Sequence, residues 1–600
     1  MTVRKGLVCI GCATWVGIAG AAPVEFTSEQ AGTIYLGAIV DRDWGRPVAA
    51  GDLDGDGYDE VLVSASESWG GHMSHVCIIR GGPGAAGRGV VDLSIGGVDQ
   101  VIIGAALDDN LGSSIAFGDV NGDGYTDLLV CASTANNGSL SGAGVAYLFY
   151  GGPDFFASPV RDLSVAGSWD VKIGGPVSNG DLGGAGSFNG FDTHAAAIGN
   201  LNGDIYGDIV LGVHSASGDT GRSQAGRVYV VFGAPFPSGT SRTLTNSTHY
   251  NVLIYGKSTY DETGDFVLTG DLTGDGLDEL IIPNSYYSQA LFGCEGAVHI
   301  YRGRTTWTKN HYLRTTPADI TLLGWRQYDE LGSSAGVGDF NGDGILDLAA
   351  AAPGAELGPF TNQRGDGVIY GLFGSPAYQT GTHTIHYGTA TPDFRFVGES
   401  EENLGTLVSV GDFNGDGYDD IAAAQRFGGP ETNGVVEVLF GRPFTGNPTF
   451  TANVNTDVRI VGAPQDRIGF SLSVSDVDGD GVHEVLFGTP FNNGTYPNEA
   501  GTAYVFRLLV CGDLDGDLDV DADDYAIFRS AFGRAEGDPA YVAGADLDGD
   551  GRVTLADYQQ WLACYRDFVG NPSAKPPVAG PADPKPILSQ PTLLPEKRTR

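Results

Sequence analysis

Asp119-Val120-Asn121-Gly122-Asp123-Gly124-Tyr125-Thr126-Asp127, running into the apolar Leu128-Leu129-Val130-Cys131, is the stretch on which the reading of this 600-residue chain turns. Oxygen-bearing side chains stand at positions 1, 3, 5 and 9 and a glycine at 6. With the carbonyl of position 7, such a set converges on a hard cation such as calcium when the loop turns sharply. An EF-hand would carry an acid at position 12 and continue as a helix. Here position 12 is Val130 and the run reads as a strand.

The pattern occurs seven times, beginning at Asp52, Asp119, Asn200, Asp271, Asp339, Asp412 and Asp476, at spacings of 67, 81, 71, 68, 73 and 64 residues. The candidate calcium ligands are Asp52, Asp54, Asp56, Tyr58 and Glu60; Asp119, Asn121, Asp123, Tyr125 and Asp127; Asn200, Asn202, Asp204, Tyr206 and Asp208; and Asp271, Thr273, Asp275, Leu277 and Glu279. They continue with Asp339, Asn341, Asp343, Ile345 and Asp347; Asp412, Asn414, Asp416, Tyr418 and Asp420; and Asp476, Asp478, Asp480, Val482 and Glu484, the position-7 residue always through its carbonyl. The third copy departs most, with asparagine at positions 1 and 3 and Ile205 in place of the glycine. Each copy follows a short Gly-bounded apolar segment and precedes, some 20 residues on, another such as Gly144 to Gly151.

Composition agrees with this reading. The chain carries 74 acidic against 33 basic residues, a net charge of -41, and 94 glycines. Such a field repels nucleic acid, and so many glycines without a triplet period mean many turns between short strands. The seven nonapeptides and two C-terminal loops hold 36 of the 74 acids and one basic residue, Arg552. Charge so concentrated repels itself unless counterions sit within it.

The loops, with the Gly-bounded strands around them, resemble FG-GAP repeats, the units of the calcium-binding propeller of integrin α chains. The resemblance covers residues 30–507 and implies an all-β, seven-bladed β-propeller with up to seven calcium ions. Each blade is expected to have an inner strand, the loop, two further strands and an outer strand such as Arg459 to Gly462. Ile34 to Gly37 is an outer strand without a blade before it, and the last copy stops at Phe506, so the N-terminal strand is expected to close the ring.

Residues 510–570 differ. Asp513, Asp515, Asp517, Asp519 and Asp524, then Asp546, Asp548, Asp550, Arg552 (through its carbonyl) and Asp557, place an acid at position 12, and each loop runs into a helical pattern. The duplicate resembles a type I dockerin, which implies a small α-helical module, two more calcium ions, a cohesin-like partner and a bacterial source. The positions that read the partner in dockerins are here Ala522-Asp523 and Leu555-Ala556, which leaves docking open against a calcium-stabilised module without a partner.

Residues 1–21 have the charged, apolar and small-residue zones of a secretory signal, so export and a mature start at Ala22 are expected. No other segment has the length and apolarity to span a membrane. Cys511 and Cys564 bracket the C-terminal module and are expected to pair, while Cys77, Cys131 and Cys294 read as small buried hydrophobes. The proline-rich residues 571–600 read as a disordered tail. Gly332-Ser333-Ser334-Ala335-Gly336, Arg364-Gly365-Asp366 and the pair His72 and His75 read as coincidence, coincidence and a polar loop. The expected function is a secreted recognition scaffold for a protein or glycan, working through loops opposite the metal sites. A calcium-dependent polysaccharide lyase or hydrolase on the same scaffold is the alternative, and fold alone does not choose.

Overall fold

The computed structural model describes residues 24–27, 31–36, 44–65, 73–93, 97–184, 194–219, 221–288, 293–356, 365–399, 402–426, 428–429, 433–463, 467–489 and 501–508 of one compact unit. Of a second unit it describes 514, 522–535, 538, 541–542, 545 and 552–568.

The strand after each loop is buried on both faces, as in Asp127–Ala132. Its period of two deals alternate residues to two cores. Leu128 and Val130 pack with Leu62, Val76 and Ile78 of the blade before, whereas Leu129 and Cys131 pack with Ile209, Leu211 and Tyr229 of the blade after. A continuous apolar run is therefore what a strand wedged between two neighbouring sheets requires.

Seven sheets result, and each has five strands where the sequence suggests four. Blade 2 runs Leu111–Gly118, Asp127–Ala132, Val145–Phe149 and Val171–Gly174, all antiparallel. A fifth strand, Thr240–Thr243, is lent by the following repeat and runs parallel to the fourth. The ring closes through the N-terminal segment as expected: Thr33–Leu36 is the fourth strand of blade 7, antiparallel to Thr502–Phe506. Closure also reaches further. Val24–Thr27, before the expected start at residue 30, is the fifth strand of blade 6 and pairs with Val458–Val461. The N-terminal segment thus spans two blades, and Tyr35 is 1 % exposed among Val48, Val63, Leu486 and Val505.

Among its described residues the second unit has two helices, Ala522–Ala531 and Leu555–Phe568, around Phe528, Ala531, Ala545, Val553 and Trp561. No helix among the described residues is long and apolar enough to cross a membrane. The proposed signal peptide and tail, Cys511, His72 and Arg364 lie outside the described residues, as does the side chain of Cys564. Cys77 and Cys131 are buried free thiols; Cys294 departs from the expectation, being half-buried in a left-handed turn (φ 47°) before Ala297–Tyr301. Ser334 is fully buried and accepts the Val408 N–H, so the Gly332–Gly336 match offers no exposed nucleophile.

Candidate metal centres

Each propeller loop curls around its own first residue. Asp119 accepts the N–H groups of Gly122 (2.6 Å) and Asp123 (3.2 Å) on Oδ1 and of Gly124 (2.8 Å) on Oδ2. Asp271, Asp339, Asp412 and Asp476 repeat the set. The position-6 glycine has φ between 84° and 89° in the six loops that carry one, the left-handed region that a side chain disfavours. The position-4 glycine is left-handed too, from 68° to 81°, a requirement the sequence reading missed.

Position 9 is fully buried in all seven loops and accepts the position-2 N–H, as in Val120 to Asp127 (2.9 Å) and Leu53 to Glu60 (2.7 Å). Beyond that the loops fall into two classes. Asp127, Asp208, Asp347 and Asp420 give their second oxygen to the N–H of Gly151, Gly233, Gly374 and Gly441 at 2.8–3.0 Å. These loops have asparagine at position 3, and its amide donates to an acid: Asn121 to Asp123, Asn202 to Asp208, Asn341 to Asp347 and Asn414 to Asp416. Asn is an internal donor there.

Loops 1, 4 and 7 have glutamate at position 9, and Oε1 of Glu60, Glu279 and Glu484 is buried without a hydrogen-bond partner. The position-3 oxygens Asp54 Oδ1, Thr273 Oγ1 and Asp478 Oδ1 are orphaned likewise. In these same three loops acidic oxygens gather within 4.8 Å of one another: Asp52, Asp54 and Glu60; Asp271, Asp275 and Glu279; Asp476, Asp478 and Glu484. Two orphaned acceptors per loop are costly, and a hard cation satisfies both at once. Burial raises Glu60, Glu279 and Glu484 to about 8, Asp127, Asp208 and Asp347 to about 7 and Asp420 to about 9. A cation entering a loop displaces the proton that burial holds there, and the orphaned, gathered oxygens make the residues of loops 1, 4 and 7 the closest fit to calcium.

Three departures matter. In loop 3 Asn200 turns its amide inward, donating to the Asp204 carbonyl at 2.9 Å, and Ile205 stands 74 % exposed. Arg80 reaches Asp54 of loop 1 at 3.3 Å, and Arg507 reaches Asp478 at 3.1 Å and also Asp480 of loop 7. In the second unit Asp524 accepts the Leu514 N–H (2.6 Å) and Asp557 the Thr554 N–H (2.7 Å), both fully buried at position 12. Asp513, Asp515, Asp517, Asp519, Asp546, Asp548 and Asp550 lie outside the described residues.

Comparison with known proteins agrees with this architecture. The FG-GAP repeat family matches residues 44–71, 111–149, 331–372, 404–439 and 468–506, and the dockerin type I domain matches 511–560. The chain is a seven-bladed propeller of FG-GAP repeats followed by a type I dockerin domain. Blades 3 and 4, outside the family matches, are supplied by the structure.

Among curated proteins the chain is 29% identical over 40% of its length to integrin alpha-PS2 of Drosophila melanogaster, covering 15% of that protein. It is 27% identical over 34% of its length to phosphatidylinositol-glycan-specific phospholipase D of Bos taurus, covering 23% of it, and 27% identical over 50% to mouse integrin alpha-8, covering 24%. The chain thus spans less than a quarter of each of these relatives. A rhamnogalacturonan lyase of Bacillus licheniformis aligns over 67% of this chain and 60% of its own at 16% identity and a TM-score of 0.22.

Proposed function

We propose that this protein is an exported calcium-stabilised scaffold, whose propeller recognises a protein or glycan and whose dockerin domain attaches it to a cohesin-type partner. The observation that carries the calcium reading is the pair of orphaned buried oxygens in each glutamate loop. Six propeller loops, all but the third, hold calcium through positions 1, 3, 5, 7 and 9. Loop 3 holds itself closed through the Asn200 amide. Two more ions belong to the dockerin loops, where Asp524 and Asp557 close the set. Calcium supplies positive charge and oxygen-binding capacity; the chain supplies the curl and the buried position-9 acid.

The dockerin match supports attachment and an extracellular setting. The integrin likeness supports recognition by the propeller, and the phospholipase D likeness supports a second reading, an enzyme on the same scaffold. One screen tests both. The full chain is incubated with insoluble polysaccharides and with immobilised cohesin in 1 mM calcium, and bound protein and newly released sugar ends are measured. Retention without release is the expected outcome, release would establish an enzyme, and neither retention nor release would overturn the recognition reading.

A further inference from the structure

The propeller loops touch one another around the ring. The position-7 residue, expected to lend its carbonyl to its own loop, lays its side chain on the position-4 glycine of the loop before. A Cβ on Gly342 would lie 2.3 Å from the Tyr418 ring, and one on Gly479 2.4 Å from the Tyr58 ring. The same relation holds at every junction.

Position 8 adds a two-bond clamp at some junctions only; at the junction of loops 2 and 3 just the backbone half is present, from the Gly207 N–H to the Asp119 carbonyl (2.7 Å). Asp419 donates its N–H to the Asp339 carbonyl (3.0 Å), and its carboxylate accepts the Asp339 N–H (2.8 Å). Asp59 clamps Asp476 in the same way (3.1 and 3.1 Å), Asp278 clamps Asn200 (3.0 and 2.7 Å), and His483 clamps Asp412, its Nδ1 as acceptor (2.8 and 3.0 Å). At the remaining junctions position 8 is Thr126, Gly207 or Leu346, which has no carboxylate or imidazole to offer. Clamped junctions thus link loops 5, 6, 7 and 1 in an unbroken arc across the point where the chain closes on itself.

From this we infer that calcium binding is coupled between neighbouring loops of that arc, and that the position-8 residues are positioning residues that transmit it rather than ligands. The inference rests on the calcium reading. The path is explicit at the 5/6 junction. Asp416 accepts the Tyr418 N–H at 2.9 Å, the Tyr418 ring covers Gly342, and Asp419 holds both backbone groups of Asp339. A cation that fixes Asp416 and the Tyr418 carbonyl therefore fixes the floor and the root of loop 5.

The test is peptide-resolved hydrogen exchange on the full chain across a calcium titration, read as the calcium concentration for half-protection of each loop. Asp416→Asn, at an exposed position that spares the sheets, takes the negative charge from one ligand of loop 6 alone and so weakens its calcium binding. It is expected to raise the half-protection concentration of loop 5 fivefold or more, within the usual range of site coupling, and to leave loop 2 unmoved. Linkage is reciprocal, so Asp343→Asn in loop 5 shifts loop 6 by a similar factor, and shifts loop 4, across the unclamped Leu346 junction, less. Adding Asp419→Ala erases the further effect of Asp416→Asn on loop 5. A loop 5 midpoint unmoved by Asp416→Asn overturns the coupling while leaving calcium binding intact. Propeller loops without any calcium-dependent protection in the wild-type chain overturn both.

Discussion

Glu60→Gln is expected to stabilise the metal-free protein and to weaken its response to calcium. Glu60 gathers with Asp52 and Asp54 within 4.8 Å, and its Oε1 has no donor. Two charges at that separation repel by about 1 kcal/mol in water and about 3 kcal/mol at an effective dielectric of ~20. Glutamine of the same shape can keep the acceptor for the Leu53 N–H, offer an amide donor toward the neighbouring carboxylates and remove the charge. Burial keeps the Glu60 carboxyl protonated below about pH 8, so a gain of roughly 1–3 kcal/mol in chelator follows above that pH, where the charge is present, and shrinks toward zero below it. A site with a dissociation constant of about 0.1 mM is worth about 1.4 kcal/mol at 1 mM calcium, and a tenfold loss of affinity cuts that to about 0.4.

Asp127→Asn should do the opposite in chelator. Both Asp127 oxygens accept backbone N–H groups, and an amide leaves one of them unpaired, at about 1–3 kcal/mol. Urea midpoints of both variants above about pH 8, in EDTA and in 1 mM calcium, measure this, compared at unchanged slope. Destabilisation by Glu60→Gln in EDTA, with a calcium response equal to wild type, would refute the division of the loops into two classes.

Arg507→Ala, which frees Asp478 and Asp480, should tighten calcium binding at loop 7 several-fold, read by loop-resolved hydrogen exchange. Tyr35→Ala empties a fully packed position at the ring closure and should cost about 3–5 kcal/mol in urea unfolding, with fragments of blades 6 and 7 becoming protease-sensitive first. Burial raises Asp261, in the connection between blades 3 and 4, from its ordinary value near 3.8 to about 7. The folded state therefore holds a proton that the unfolded state releases, so its contribution is present below pH 4 and lost as pH rises to about 7. Asp261→Asn should flatten the pH dependence of stability in chelator over that window, with an upper bound of about 4 kcal/mol in the difference; parallel wild-type and variant profiles would contradict it.

The seven blades are legible because each loop is followed by a strand buried on both faces, so Leu128 to Cys131 and its counterparts stand out as apolar runs after an acidic turn. The fifth strands are not. Asn310–Tyr312 and Val160–Asp162 are three residues long with one face in solvent, and each pairs with a strand from which three others separate it in sequence. Val24–Thr27 is likewise invisible, since its partner Val458 lies more than 400 residues away. The two loop classes are written in the sequence as Asn at 3 with Asp at 9 against Asp or Thr at 3 with Glu at 9. What that pairing means depends on the N–H at Gly151 and its equivalents, which only the folded sheet brings within reach. Position 8 passes for one more acid in an acidic loop until the preceding loop is seen against it.

The central claim is that this propeller is built around calcium held by its loops, most closely in the three that end in glutamate. An anomalous difference map from crystals of the full chain grown in calcium tests it most directly. Peaks in loops 1, 2, 4, 5, 6 and 7, strongest in 1, 4 and 7, with none in loop 3, are the expected result; propeller loops without peaks at saturating calcium would contradict the account.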